Sequence, residues 1–140
     1  MKTEVVQVKG ITFLGKSNSG HWVPMDGPAE FQGSDAATRP KELVLIGLGG
    51  CTGADVALIL HKMKENVSRF EIEIEAATAN EHPKVFTHIQ LNYKFWGENL
   101  RKENIEKAIN LSQDRYCSIS AMLRKVCEMT HKFEINPEEY

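Results

Sequence analysis

The run from Leu43 to Leu60, LVLIGLGGCTGADVALIL, restricts the fold more than any other feature of the chain. A membrane span needs about 20 apolar residues, so the run is long enough to raise that possibility. It carries Asp55, however, whose side chain would cost roughly 2.5 to 3.5 kcal/mol near a bilayer centre. A helix buried in a protein core, covered by amphipathic strands from the flanking sequence, accounts for the run better, and no membrane partner is expected. Thr38-Arg39-Pro40 reads as the helix start, with Thr38 or Arg39 near the cap and proline in the first turn, where its missing N–H costs nothing. The helix is expected to end near Glu65. Gly47, Gly49 and Gly50 each cost about 1 kcal/mol relative to alanine in a helix interior, which predicts a kink or break at Gly49-Gly50. Cys51 would then lie at the start of a new helical segment, where unpaired N–H groups favour a thiolate.

The flanks supply the covering strands. Val5 to Leu14 is rich in β-branched residues and is followed by the turn cluster Gly15 to Gly20, then His21-Trp22-Val23-Pro24, predicting two or three short strands. Met25 to Thr38 shows little periodicity and reads as an irregular surface loop, a kind of segment that often lines sites. Phe70, Ile72, Ile74 and Ala76 alternate with Glu71, Glu73 and Glu75, and Val85 to Phe95 repeats the period of two, so Asn80 to Pro83 should turn one strand into the next as a hairpin. Ile105, Ala108, Ile109, Ser112 and Tyr116 recur at helical spacing over Arg101 to Tyr116, with Glu103 and Lys107 able to pair. A short helix from Ser118 to about Glu128 and a strand from His131 to Ile135 complete the order βββ-α-ββ-αα-β. Strands and helices are segregated, which defines an α+β fold, expected as one domain over residues 1–140.

A chain of 140 residues with 41% hydrophobic and 26% charged residues has an ordinary globular composition. Its net charge of -2 and lack of a basic cluster interleaved with aromatics give no nucleic-acid footprint. The start, Met1-Lys2-Thr3-Glu4-Val5, is not a secretory signal, so a cytoplasmic location is expected. There the three cysteines should be free thiols unless they do chemistry. Gly47-Leu48-Gly49-Gly50 is not a phosphate loop, since no Lys-Ser or Lys-Thr follows it, and no cofactor is expected. Cys51, Cys117 and some histidines could converge on a metal, but no pair has HxxxH or CxxC spacing, so none is expected.

Placement distinguishes the thiols. A cysteine in an apolar helix is ordinarily a small buried hydrophobe, but the glycines before Cys51 permit close backbone approach. Cys117 falls at the junction of the two C-terminal helices, while Cys127 lies within the second and reads as structural. Asp55, one turn after Cys51, would oppose thiolate formation if ionised and close, and reads as a polar anchor for a kinked helix.

Nearly the whole chain resembles the OsmC/Ohr family of peroxide-reducing proteins. The resemblance rests on the strand-rich start, the Pro-x-Glu-Leu opening at Pro40 to Leu43, Gly-Gly-Cys-Thr around Cys51, the hairpin, and Cys117-Ser118-Ile119-Ser120, which is similar to the family's Cys-Pro-Val-Ser. It implies an intertwined α+β homodimer with each active site at the subunit interface. It also implies that Cys51 is a peroxidatic thiolate attacking an organic hydroperoxide and that Cys117 is the resolving thiol. The resulting disulfide would be reduced by a small thiol or a lipoyl-type dithiol. Family members activate the sulfur with an arginine held by a glutamate. Here Glu42 is the candidate carboxylate, displaced by one position because Lys41 takes the place of the first glutamate. Arg39 is the candidate cation, away from the usual arginine position, and no arginine precedes it. Lys16 and His21 are possible substitutes. Two readings follow: a Cys51/Cys117 hydroperoxide reductase, or a protein that binds a hydrophobic small molecule or senses redox state with little peroxidase activity.

Overall fold

The computed structural model describes residues 1–138, and its elements follow the order βββ-α-ββ-αα-β of a mixed α+β fold. Two compact units divide the chain, one ending at Ile46 and the other beginning at Gly47. In the first, β1 (Thr3–Lys9), β2 (Thr12–Ser17) and β3 (Trp22–Met25) form an antiparallel meander, with Val5 opposite Gly15 and Gly15 opposite Val23. Gly10 and Gly20 turn the chain at φ +55° and +82°, which favours a residue without Cβ.

The segment after β3 is more ordered than its sequence suggested. Asp26 is buried, and its carboxylate accepts the N–H groups of Gly27, Ser34 and Ala36 at 2.8, 3.0 and 3.2 Å. Those donors, Gly27 first, hold the carboxyl below its ordinary range against the opposing effect of burial. Gly33 completes the fold of this loop, since a Cβ there would overlap the Gly27 carbonyl.

Helix α1 (Pro40–Lys62) then runs without a break. The expected break at Gly49-Gly50 is absent, and the physical reason lies across the packing interface. A Cβ on Gly49 would come within 3.1 Å of Ile74 Cδ1, and one on Gly53 within 3.2 Å of Ile72 Cδ1. The glycines let the helix approach the next strand closely, and that packing offsets their poor helix propensity. Leu48, Thr52, Val56 and Leu60, spaced by four, form the buried stripe of α1, while Val44, Ile46 and Leu58 remain exposed. By length and composition alone α1 is long and apolar enough to cross a membrane.

The second unit carries the sheet β4 (Val67–Thr78), β5 (Phe86–Gly97) and β6 (Glu128–Ile135), with β5 central. The β4–β5 pair is antiparallel, placing Phe70 opposite Phe95, Ile72 opposite Tyr93 and Ile74 opposite Leu91. Ile89, Leu91, Tyr93 and Phe95 of β5 are fully buried, as expected for the apolar face of a strand with neighbours on both sides. Strand β6 pairs parallel to β5, which requires a crossover. The crossover consists of α2 (Lys102–Leu111), a π-helical turn (Ser112–Tyr116) and α3 (Ser118–Leu123). Helix α3 is shorter than expected: Cys127 lies in the bend after it, and Glu128 already begins β6. Glu65, just beyond α1, ties the start of α2 by accepting Arg101 Nε at 2.7 Å, Arg101 N–H at 3.1 Å and Asn104 Nδ2 at 2.5 Å.

Candidate active site

Cys51 occupies the middle of α1, with Thr52 on the buried stripe beside it and Asp55 one turn later. Thr52 is a hydroxyl among Leu48, Val56 and Leu60, and it is satisfied by a polar network. Its Oγ1 lies 2.8 Å from the Tyr93 hydroxyl and 2.9 Å from the Ser112 hydroxyl, and it accepts Gln113 Nε2 at 3.1 Å. Gln113 Nε2 also donates to the Tyr93 hydroxyl at 2.7 Å, and the Gln113 carbonyl accepts Arg124 Nη2 at 3.1 Å. Thr52, Tyr93, Ser112 and Gln113 are all buried, so each hydrogen bond satisfies a group that would otherwise be costly to bury.

The same network aims the chain toward Cys51. Ser112 opens the π-helical turn, and its carbonyl accepts the Cys117 N–H at 2.8 Å, closing the wider ring that defines such a turn. Turns of this type are frequent at functional sites. Cys117 then caps α3, its sulfur accepting the Ser120 N–H at 3.4 Å. The outcome is a compact trio: Sγ of Cys51, Sγ of Cys117 and a carboxylate oxygen of Asp55 all lie within 4.8 Å of one another. All three cysteines are free thiols.

The two sulfurs are not equivalent. Partial burial pushes the Cys51 thiol up, but hydrogen bonds from the Cys117 thiol, the Ile119 N–H and the Ser118 hydroxyl outweigh it. They hold Cys51 below an ordinary thiol despite the opposing charge of Asp55. Burial, followed by the Cys51 sulfur, pushes Cys117 up, outweighing the donors on Ser120. Cys51 is therefore the sulfur poised to ionise, with Cys117 donating to it. The donors that favour its thiolate come from α3 and its cap, whereas the expected source was a new helix start at Cys51 itself. Burial also raises Cys127, whose sulfur donates to the Leu123 carbonyl at 3.5 Å.

Three of the other sequence candidates, Glu42, Arg39 and Lys16, have partners of their own. The Glu42 carboxylate accepts the Arg39 N–H at 3.0 Å, as the glutamate of a capping box does. The Arg39 guanidinium is taken by Asp35 at 2.7 Å. Lys16 Nζ sits 5.1 Å from the centre of the Trp22 ring, and His21 is exposed. Sequence reasoning missed the contributions of Ser112 and Gln113, although a threonine among the apolar residues of a buried helix stripe is the kind of signal that calls for polar partners. The trio has the spacing to chelate a soft cation. With Cys117 held protonated it presents one thiolate rather than two, so the geometry reads as a proton-sharing pair of thiols with a carboxylate beside it.

Fold and site together define an α+β protein with two adjacent thiols, the more acidic one in the middle of an apolar helix. Residues 33–132 match the family described as OsmC-like protein, and the chain belongs to that family. Protein YhfA of Escherichia coli strain K12 is 38% identical over 135 residues, covering 96% of this chain and 98% of YhfA. A crystal structure of a hypothetical protein from Aquifex aeolicus VF5 is 28% identical and superposes with a TM-score of 0.85, covering 99% and 97% of the two chains. The organic hydroperoxide resistance protein OhrB of Bacillus subtilis is 16% identical with a TM-score of 0.65, covering 96% and 98%, a likeness of fold.

Proposed function

We propose that the chain is a thiol-dependent reductase of organic hydroperoxides, with Cys51 as the peroxidatic sulfur and Cys117 as the resolving one. The observation that carries this reading is the pairing of a thiol held below its ordinary pKa with a second, protonated thiol less than 4.8 Å away. The Cys51 thiolate attacks the distal oxygen of the hydroperoxide, the O–O bond breaks, and the leaving alkoxide takes a proton to become an alcohol. Cys51 is left as a sulfenic acid. Cys117 then displaces the hydroxyl, giving a disulfide and water, and an external small thiol or lipoyl-type dithiol returns both cysteines to thiols. Family membership and the hydroperoxide-resistance relatives of the same fold support the reaction class.

The proposal places the protein in the cytoplasm as a homodimer. The exposed Val44, Ile46 and Leu58 of α1 form apolar surface that a second copy would cover. Arg39 and Glu42 are assigned a positioning part, setting the first turn of the helix that carries Cys51. Titration of free thiols before and after one equivalent of an organic hydroperoxide tests the reaction: two thiols are lost in the wild type and none in Cys51→Ser. An unreactive Cys51 would overturn it.

A second reading has one observation of its own. A cavity of about 470 Å³ is lined by Leu58, Ile59, Met63, Leu111 and Tyr116 and reaches Asp55. It suits a hydrophobic small molecule. Recovery of such a ligand from the purified protein, with no thiol consumed by hydroperoxide, would select this reading.

A further inference from the structure

We propose that Asp55 is the general base of the resolving step, taking the proton of Cys117 as that sulfur attacks the Cys51 sulfenic acid. The inference rests on the reaction proposed above. Cys51 and Asp55 are one helical turn apart on α1, which puts both on the same face. The Asp55 oxygen lies within 4.8 Å of both reacting sulfurs, within reach of a proton directly after a small closure or through one water.

Its orientation is fixed from behind. Ser112 Oγ lies 3.2 Å from Asp55 Oδ2 and 2.9 Å from Thr52 Oγ1, so the carboxylate is an extension of the buried network that also holds the π-helical turn leading to Cys117. Lys62 of α1 and Lys107 of α2 line the cavity that Asp55 shares, and Cys117 approaches from the cap of α3.

The chemistry explains why a carboxylate belongs there. A negative charge beside Cys51 opposes formation of the peroxidatic thiolate, so its presence hinders the first step. The second step needs it, because burial holds Cys117 protonated, and a thiol displaces hydroxide slowly unless its proton is removed. In that step the Cys117 S–H bond breaks and its proton moves to Asp55. The electron pair left on sulfur forms the S–S bond, and the Cys51 S–O bond breaks with its pair on oxygen. Asp55 returns the proton to the departing hydroxide, which leaves as water. The Cys117 sulfur is oxidised, the Cys51 sulfur is reduced from the sulfenic to the disulfide level, and Asp55 is regenerated.

The test separates the two steps in single-turnover mixing of the full chain with one equivalent of tert-butyl hydroperoxide at pH 7. Sulfenic acid is trapped with dimedone, and the disulfide is counted by mass spectrometry. In Asp55→Asn, oxidation of Cys51 should speed up, because the charge that opposes its thiolate is gone, while disulfide formation slows by about 10²- to 10⁴-fold, the range of general base catalysis. Asp55→Glu should restore much of the second step, and raising the pH should recover it in Asp55→Asn. Disulfide formation at the wild-type rate in Asp55→Asn, or equal slowing of both steps, overturns the inference. Should that variant not fold, the wild-type pH profile decides. A second step already at full rate at neutral pH supports a carboxylate base, and one that rises only through the thiol range excludes it. Failure of one equivalent of hydroperoxide to consume the wild-type Cys51 thiol would instead overturn the underlying reaction.

Discussion

Two groupings of charged and polar residues border α1, and they are built in opposite ways. At the first turn, Asp35, Arg39 and Glu42 are neighbours in sequence, with Asp35 and Glu42 exposed and Arg39 half-buried, and they are matched as an ion pair and a cap. Around Cys51, the partners Asp55, Tyr93, Ser112, Gln113 and Cys117 come from α1, β5, the π-helical turn and the α3 cap. Most of them are buried. The first grouping settles its charges locally and in water, where an ion pair contributes little. The second places a carboxylate and two thiols together where water no longer screens them fully, which is what makes pKa values diverge. Chemistry is expected from the second grouping and helix-start stability from the first.

The largest test of that division is Cys51→Ser, which should lower hydroperoxide consumption under excess dithiol by at least about a thousandfold, the scale of losing a nucleophile. A pH series of alkylation, read site by site by mass spectrometry, comes next. The thiolate is the reactive form, so Cys51 should reach half its maximal rate below the ordinary thiol pKa and Cys117 above it. A reversed order would transfer the leading role to Cys117. Thr52→Val keeps the shape but removes the hydroxyl shared by Tyr93, Ser112 and Gln113, and should cost about 2 to 3 kcal/mol in urea unfolding. Gly53→Val should cost about 1 to 3 kcal/mol by pushing on Ile72. The smallest effects belong to the first grouping: Arg39→Ala and Glu42→Ala should each lower stability by about 1 kcal/mol or less, and leave consumption within about threefold. A loss in either comparable to Cys51→Ser would erase the distinction between the two groupings.

The parts of the fold set by local pattern were legible in the sequence. The glutamates of β4 mark its wet face with a period of two, and the apolar run beginning at Leu43 reads as helical. Of the two readings of the α1 glycines, close backbone approach holds and the break does not, because propensity speaks for one segment at a time. Their use depends on Ile72 and Ile74, which pairing with β5 holds in place. One of the grounds on which Cys51 was identified as the reactive sulfur, a new helix start, is removed by the unbroken helix. Asp26 and the Thr52 network were hidden because their partners are backbone groups or residues distant in sequence. The spacing Gly49-x-x-x-Gly53 was the available sign of close packing. Asp55 was visible, but its role depends on Ser112, which no periodicity links to it.

The parallel pairing of β6 with β5 bears on how the chain is made. Synthesis proceeds from the N-terminus, so α1 and the β4–β5 hairpin leave the ribosome before the crossover that carries Cys117. The strand that closes the sheet comes from the last residues described, and its pairing spans the longest stretch of sequence within that sheet. The two sulfurs are therefore brought together only after the crossover has been made, and Cys51 waits through the 66 positions of chain that separate it from the neighbour that could bridge to it.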